Sequence, residues 1–294
     1  MNAMLNPDAD VVRSAVPPKS SALRVATLRA IHQLYDRPLV FDDPLALKIL
    51  GPDEEQVLRA GPDQYDSPLF RGLRTSVVVR SRLAEDEWSR AYRRGVLQYV
   101  ILGAGLDTYA FRSREADGSR IFEVDLPTTQ RWKRERLRAA GIGEPAELTF
   151  VAIDFEHATL LEELNLASFN PMEPAFFSWL GVTMYLAEDS ILSTLRQISS
   201  LPAGSGVVFD YATAPALLSP REQGALEALT RRAAAHDEPW KTFFWPDELT
   251  HKLHSLGFHE VVNYGPEQLN ELYLSERTDG LHKSGVSRLV CARL

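Results

Sequence analysis

The segment Gly103-Ala104-Gly105-Leu106-Asp107-Thr108 follows directly on the apolar run Tyr99-Val100-Ile101-Leu102. Two glycines at the end of a strand let the backbone turn sharply and bring its N–H groups close to a ligand. Asp125 stands twenty residues beyond Gly105 and closes the run Ile121-Phe122-Glu123-Val124. A carboxylate at that spacing is positioned to accept hydrogen bonds from ribose hydroxyls. A third run, residues 148–153, ends in Asp154-Phe155. An acid beside an aromatic suits an adenine, the carboxylate accepting from the exocyclic amine. Each feature also has a plain structural reading: a strand-to-helix turn for the glycines, a solvated or capping acid for Asp125, a cap and a core ring for Asp154 and Phe155.

Two ligand types use this geometry, dinucleotides such as NAD and S-adenosylmethionine. The dinucleotide pattern places a third glycine where this chain has Thr108, so that a helix end can rest against the pyrophosphate. S-adenosylmethionine has no pyrophosphate, and the glycine pair comes only after a long, mostly helical stretch. The pattern favours the methyl donor. Arg80 supports this from outside the sheet. It lies three residues after Val77, four before Ala84 and eight before Trp88, a helical spacing that turns its guanidinium toward the packed face. An inward guanidinium stays charged and needs an anion. The methionine carboxylate of the cofactor would supply one in a bidentate pair, and an acid such as Asp107 is the competing partner.

The elements that must hold these residues change in character along the chain. The first twenty residues are polar, carry Pro17-Pro18 and read as a loose arm. Leu23, Ala26, Ala30, Ile31 and Leu34 recur at helical spacing. Asp43-Pro44 before Leu45, Leu47 and Leu50 predicts a short capped helix ended by Gly51. Residues 70–94 predict a longer helix closed by Gly95. From Gln98 onward, seven β-rich runs (99–102, 121–124, 148–153, 175–180, 207–209, 258–262, 288–291) alternate with helical segments near 128–140, 188–200 and 247–256. That cadence predicts an α/β fold with a mostly parallel sheet covered on both faces. The last two strands are expected to pair antiparallel across a short polar connection. Residues 215–243 exceed an ordinary connection and predict a helical lid. The expected organisation is an arm and helical cap over residues 1–96 and a catalytic core over 97–294 that carries the lid.

Composition narrows the function class. With 294 residues, 32 Lys and Arg against 40 Asp and Glu, and a net charge of −8, generic attraction to a nucleic-acid backbone is not expected. A single cysteine, Cys291, allows no internal disulfide and no Cys pair for zinc. The start shows no signal-peptide pattern, and no apolar stretch is long enough to span a bilayer. No metal-ligand spacing beats chance. A cytoplasmic enzyme with a small-molecule substrate is the expectation, with neither nucleic acid nor membrane as a partner.

The string Val100-Ile101-Leu102-Gly103-Ala104-Gly105-Leu106-Asp107-Thr108, with Phe111-Arg112 following, resembles the signature of the leucine carboxyl methyltransferase family. That family includes bacterial S-adenosylmethionine-dependent methyltransferases acting on polyketides and other small molecules. Phe122-Glu123-Val124-Asp125-Leu126-Pro127 with Lys133, Val151-Ala152-Ile153-Asp154, Val79-Arg80-Ser81-Arg82 and Asp43-Pro44-Leu45-Ala46 are similar to further family motifs. The likeness runs from about Ala22 to the last strand. It implies a class I, Rossmann-like methyltransferase with a seven-stranded sheet. It also implies S-adenosyl-L-methionine contacts at Arg80, Gly103, Asp125, Asp154 and Phe155, with Ala104, Gly105, Leu126, Trp179 and Leu180 as neighbours in the same motifs. Two positions depart from the pattern. Leu180 stands where the family usually has Glu, so only its backbone is expected to line the methyl pocket, and Tyr109 stands where many relatives have Arg.

The acceptor chemistry follows from charge. A carboxylate, with a reference pKa of about 4, is ionised near neutrality and needs no general base. Catalysis then consists of alignment and exclusion of water. A phenol or alcohol calls for a base within hydrogen-bond reach. Tyr185 and Tyr211, near strand ends, are the candidates to orient the acceptor, although both read equally well as core or rim aromatics. His32 and His236 remain open as bases, whereas His251, His254 and His259 are expected to face solvent. The expected function is O-methylation of a carboxyl or hydroxyl group on a secondary metabolite. The alternatives are an NAD-dependent oxidoreductase and a protein that binds S-adenosylmethionine without transferring methyl.

Overall fold

In the computed structural model, residues 20–113, 118–154 and 159–294 are described. Three helices open this part of the chain: α1 (Ser20–Tyr35), α2 (Pro52–Ala60) and α3 (Pro68–Arg93). Helix α3 starts where the Ser67 hydroxyl accepts from the Phe70 N–H, with Pro68 at the first helical position. It buries Val77, Ala84, Trp88 and Ala91 on one face and stops before Gly95 at φ +93°.

The rest alternates: β1 (Gln98–Leu102), α4 (Tyr109–Arg112), β2 (Arg120–Asp125), α5 (Pro127–Ala139), β3 (Leu148–Ala152), α6 (Leu160–Leu166), β4 (Ala175–Trp179), α7 (Glu188–Ser199), β5 (Gly206–Ala212), α8 (Pro220–Ala234), α9 (Pro246–Ser255), β6 (Glu260–Tyr264), α10 (Pro266–Leu274) and β7 (Ser287–Arg293). The sheet runs β3-β2-β1-β4-β5-β7-β6. All pairings are parallel except those of β7, which is antiparallel to both β5 and β6. Strands β1, β4 and β5 are buried along their whole length, which is why they read as largely apolar runs. One face packs Val100, Phe177, Trp179, Phe209 and Tyr211 against α7 and α9. The other packs Tyr99, Ile101 and Val208 against α3, where the Trp88 and Tyr99 rings stack 4.5 Å apart. Reversal of strand order between β1 and β4 opens the crevice in which ligands of such sheets bind.

Two local expectations are corrected. Residues 44–50 form successive turns, and the helix begins only at Pro52, after Gly51 at φ +95°. Asp43 does accept from the Leu45 N–H at 3.2 Å, but its buried carboxylate faces Arg29 and Arg112 at 3.6 and 3.7 Å. The connection from β6 to β7 is not short and polar. It contains α10, whose Leu269 and Leu274 are buried against α3 and the sheet, and β7 inserts between β5 and β6 rather than extending the edge. The polar residues of α10 mask a two-leucine core face. The expected loose arm lies outside the described residues except for its last residue, Ser20, with which α1 begins.

Candidate cofactor and acceptor cavity

A cavity of about 1370 Å³ opens at the carboxyl ends of β1, β2, β4 and β5. Its floor is the sheet end with Leu102, Asp125, Ser178 and Asp210, and its roof comes from α1, α3 and residues between 219 and 241.

The glycine loop lies at its centre. Gly103 and Gly105 have φ of +67° and +51°, and a Cβ at Gly103 would stand 2.3 Å from Val182 Cγ2. At Gly105 the nearest obstacle is Ala22 of α1, 3.3 Å away. The loop is tied to the neighbouring strand. Gly103 and Ala104 N–H groups donate to the Val124 carbonyl at 2.7 and 3.1 Å. Gly105 and Leu126 N–H groups donate to the two oxygens of Asp125 at 2.6 and 2.7 Å. Burial pushes the Asp125 pKa up, and those two backbone hydrogen bonds oppose the rise. The Thr129 side chain is a third protein donor to this carboxylate; with about four acceptor sites in all, one is left for a ligand. That fits one ribose hydroxyl.

Arg80 reaches the cavity from α3, and the protein acid that competes for it is Asp210 rather than Asp107. Arg80 Nη1 donates to Asp210 Oδ2 at 2.9 Å, while Asp107 faces Arg29 at 3.5 Å. The second Asp210 oxygen accepts from the Gly181 N–H at 2.5 Å. Gly181, at φ +71°, lies so close that a Cβ there would be 2.6 Å from Arg80 Nη2. The arginine side chain keeps 12% exposure and spends one nitrogen on Asp210, leaving further N–H donors for a carboxylate. Below the loop, Arg29 donates to the Leu106 carbonyl, Arg112 pairs with Glu85, and Lys133 pairs with the buried Glu123. Burial raises Glu85 and Glu123 to about 7 against their basic partners.

Leu126, Asp154, Leu180 and Tyr185 also line the cavity. The Tyr185 ring meets the Trp240 ring edge-on, centroids 6.4 Å apart, and burial raises its hydroxyl pKa. Phe155 lies outside the described residues. Two assignments are corrected. Trp179 is fully buried in the core beside Phe209, at 6.3 Å, and its side chain does not line the cavity, although Ser178 and Leu180 on either side do. Tyr211 is also fully buried. Its hydroxyl donates to Asn263 Oδ1 at 2.9 Å, and its pKa is pushed up to about 12 by burial. Alternation along a strand is the reason: Asp210, not Tyr211, faces the cavity. Asp210 was missed, and its one signal is a single acid inside an otherwise apolar strand. His32 is a core residue. Its Nδ1 meets Asp36 at 2.7 Å, and its Nε2 accepts from the Val40 N–H at 3.0 Å. His236, His251, His254 and His259 are exposed.

Residues 22–199 match the family model for leucine carboxyl methyltransferase, and the chain belongs to that family. It is therefore an S-adenosyl-L-methionine-dependent methyltransferase with a class I, Rossmann-like core. A Bacillus subtilis protein, YktD, assigned as such an enzyme, is 32% identical over 89% of this chain and 93% of its own. A Saccharopolyspora erythraea protein with the same assignment is 33% identical over 61% of this chain and 63% of its own. Among solved structures, a DUF574 family protein from Streptomyces avermitilis superposes with a TM-score of 0.56 at 17% identity, covering 84% of this chain and 94% of that one. A Thermobifida fusca protein described as a methyltransferase gives 0.55 at 18%, covering 87% and 96%. At these identities the structural likeness speaks to the fold alone.

Proposed function

We propose that the chain methylates an oxygen, a carboxylate in preference to a hydroxyl, on a small molecule of secondary metabolism. The observation that carries this reading is one continuous cavity lined both by polar groups, among them Asp125, Asp154 and Arg80 beside the Gly103 backbone, and by apolar side chains, among them Leu28, Leu69, Leu73, Ala225, Leu229 and Trp240. Its volume of about 1370 Å³ exceeds the few hundred to about 1,000 Å³ of a typical single-ligand site. There is room for a cofactor and a small acceptor side by side.

Asp125 is assigned to the ribose, Arg80 to the amino-acid carboxylate, Asp154 to the adenine edge, and the Gly103–Gly105 backbone to close approach. When bound, S-adenosylmethionine presents a sulfonium methyl group; an acceptor oxygen forms the new C–O bond as the S–CH3 electron pair stays on sulfur, giving the methylated product and S-adenosylhomocysteine. No proton must move when the acceptor is a carboxylate. That agrees with the lining, whose described histidine, His282, is exposed, and with a Tyr185 hydroxyl held protonated by burial. Tyr185 is assigned to donate a hydrogen bond that orients the acceptor. Residues 1–96 are proposed as arm and cap over a 97–294 core, with 215–243 as the lid that excludes water.

This reading includes a cytoplasmic setting and no nucleic-acid or membrane partner; among the described residues no helix is long and apolar enough to cross a membrane. The test is transfer of labelled methyl to a panel of small carboxylic acids and phenols. Esters release labelled methanol in mild alkali. Alkali-stable label on nitrogen or carbon would contradict O-methylation, and binding of the cofactor with no transfer to any acceptor would favour a non-methylating role.

A further inference from the structure

The glycine loop is held on two sides. From the sheet, Val124 and Asp125 of β2 accept the N–H groups of Gly103, Ala104 and Gly105. From the cap, Arg29 of α1 grips the second half of the loop. It donates to the Leu106 carbonyl and faces Asp107 at 3.5 Å. Arg112 of α4 donates to the Thr108 hydroxyl at 3.1 Å and pairs with Glu85 of α3. Arg29, Leu106 and Asp107 line the cavity.

Both arginines meet over one acid, Asp43, which is fully buried behind them and does not line the cavity. The acid itself is fixed. Its Oδ1 accepts from the Leu45 N–H, and its own N–H donates to Gln33 Oε1, each at 3.2 Å. Its Oδ2 is different. Among the described residues it accepts no hydrogen bond, and Arg29 Nε, 3.6 Å away, donates none. Two opposite charges taken out of water but held short of a hydrogen bond forgo much of what offsets their desolvation. A shift of about half an ångström would complete the contact, and Arg29 carries the Leu106 carbonyl and Asp107 with it.

We propose that Asp43 is a positioning residue for the cofactor. It sets Arg29, and through Arg29 the Leu106–Thr108 half of the glycine loop, and the Asp43–Arg29 contact completes as the cofactor seats. This rests on the reading of the cavity as the S-adenosylmethionine site. A contact that is stronger in the bound state must, when removed, weaken binding as well as stability.

The test titrates S-adenosylhomocysteine into wild type, Asp43→Asn and Asp36→Asn. Asp36 is the control: a buried acid of the same cap, held by Arg74 at 2.7 and 3.0 Å and by His32 at 2.7 Å. Both variants should lower the melting temperature. Only Asp43→Asn should weaken S-adenosylhomocysteine binding, by about fivefold or more, the scale of an ordinary coupling between sites. Arg29→Lys keeps the charge but removes the Nε that faces Asp43, and should show at least the same loss; it carries the test if Asp43→Asn does not fold. The double variant should bind no more weakly than Arg29→Lys alone, since both changes act through one contact. Unchanged affinity in Asp43→Asn or in Arg29→Lys would overturn the proposal. An equal loss in Asp36→Asn would overturn it too, by reducing the effect to a loosened cap. A wild type that does not bind S-adenosylhomocysteine would overturn the cofactor reading of the cavity itself.

Discussion

The Arg80 guanidinium rests on Asp210, Nη1 to Oδ2 at 2.9 Å, across 130 residues of sequence. The other Asp210 oxygen takes the Gly181 N–H, so one buried acid fixes both an arginine from α3 and the loop after β4. The arginine is aimed before any ligand arrives, which lowers the ordering entropy that binding must overcome.

Asp210→Asn should weaken S-adenosylhomocysteine binding by about 1–2 kcal/mol, because Arg80 loses its charged rest. Arg80→Gln should weaken it further, and the double variant should be no worse than Arg80→Gln alone, since both changes act through one contact. Calorimetric titration of the three variants checks this. Full affinity in Asp210→Asn would show that the pair is only structural.

Gly103→Ala should destabilise the protein by about 1–3 kcal/mol, since φ of +67° strains an L residue. Its methyl would also meet Val182, 2.3 Å from Cγ2. Adding Val182→Ala should recover the steric part and leave the backbone part. Thermal unfolding of the single and double variants separates the two; a double variant no more stable than Gly103→Ala would remove the steric account.

The glycine loop and the acids at the ends of β2 and β3 are legible in the sequence because the strands before them read as apolar runs, and the residues at the end of each run line the cavity. Asp210 was not legible. It sits inside such a run, between Phe209 and Tyr211, and its partner comes from a helix in the first third of the chain. The same blindness put Tyr211 and Trp179 at the site, because apolar runs do not reveal which face each residue takes. Helix α10 was missed because two buried leucines carry its packing. The 44–50 segment misled for the opposite reason: local capping signals were present and Asp43 does accept from the Leu45 N–H, but the chain continues as successive turns up to Gly51.

Lys283 gives a pH prediction. It is fully buried, with its ammonium donating to the carbonyls of Ser284 and Ser287 and to the Ser287 hydroxyl at 2.7, 2.5 and 3.2 Å. Burial lowers its pKa from 10.5 to about 7. The unfolded chain then binds more protons between those values, so this group makes stability rise with pH from about 7 toward 10.5. Melting temperatures at pH 7 and pH 9 should rise more for wild type than for Lys283→Met. Parallel profiles would contradict the shift.

The Ser21–Glu238 contact ties α1 to the segment after α8. Glu238→Gln should weaken that tie by about 1 kcal/mol and speed amide exchange over residues 235–241 without lowering exchange protection in β1 or β4. Hydrogen-exchange mass spectrometry reads this directly, and unchanged exchange in the segment would show that its position is held elsewhere.

The most direct measurement is the affinity of S-adenosylhomocysteine for wild type, Asp125→Ala and Arg80→Gln under one set of conditions. Each variant should lose about 1–3 kcal/mol, the scale of a lost contact to a charged group. Wild-type affinity in both variants would contradict the assignment of sugar and amino-acid ends to these two side chains, and with it the reading of the cavity.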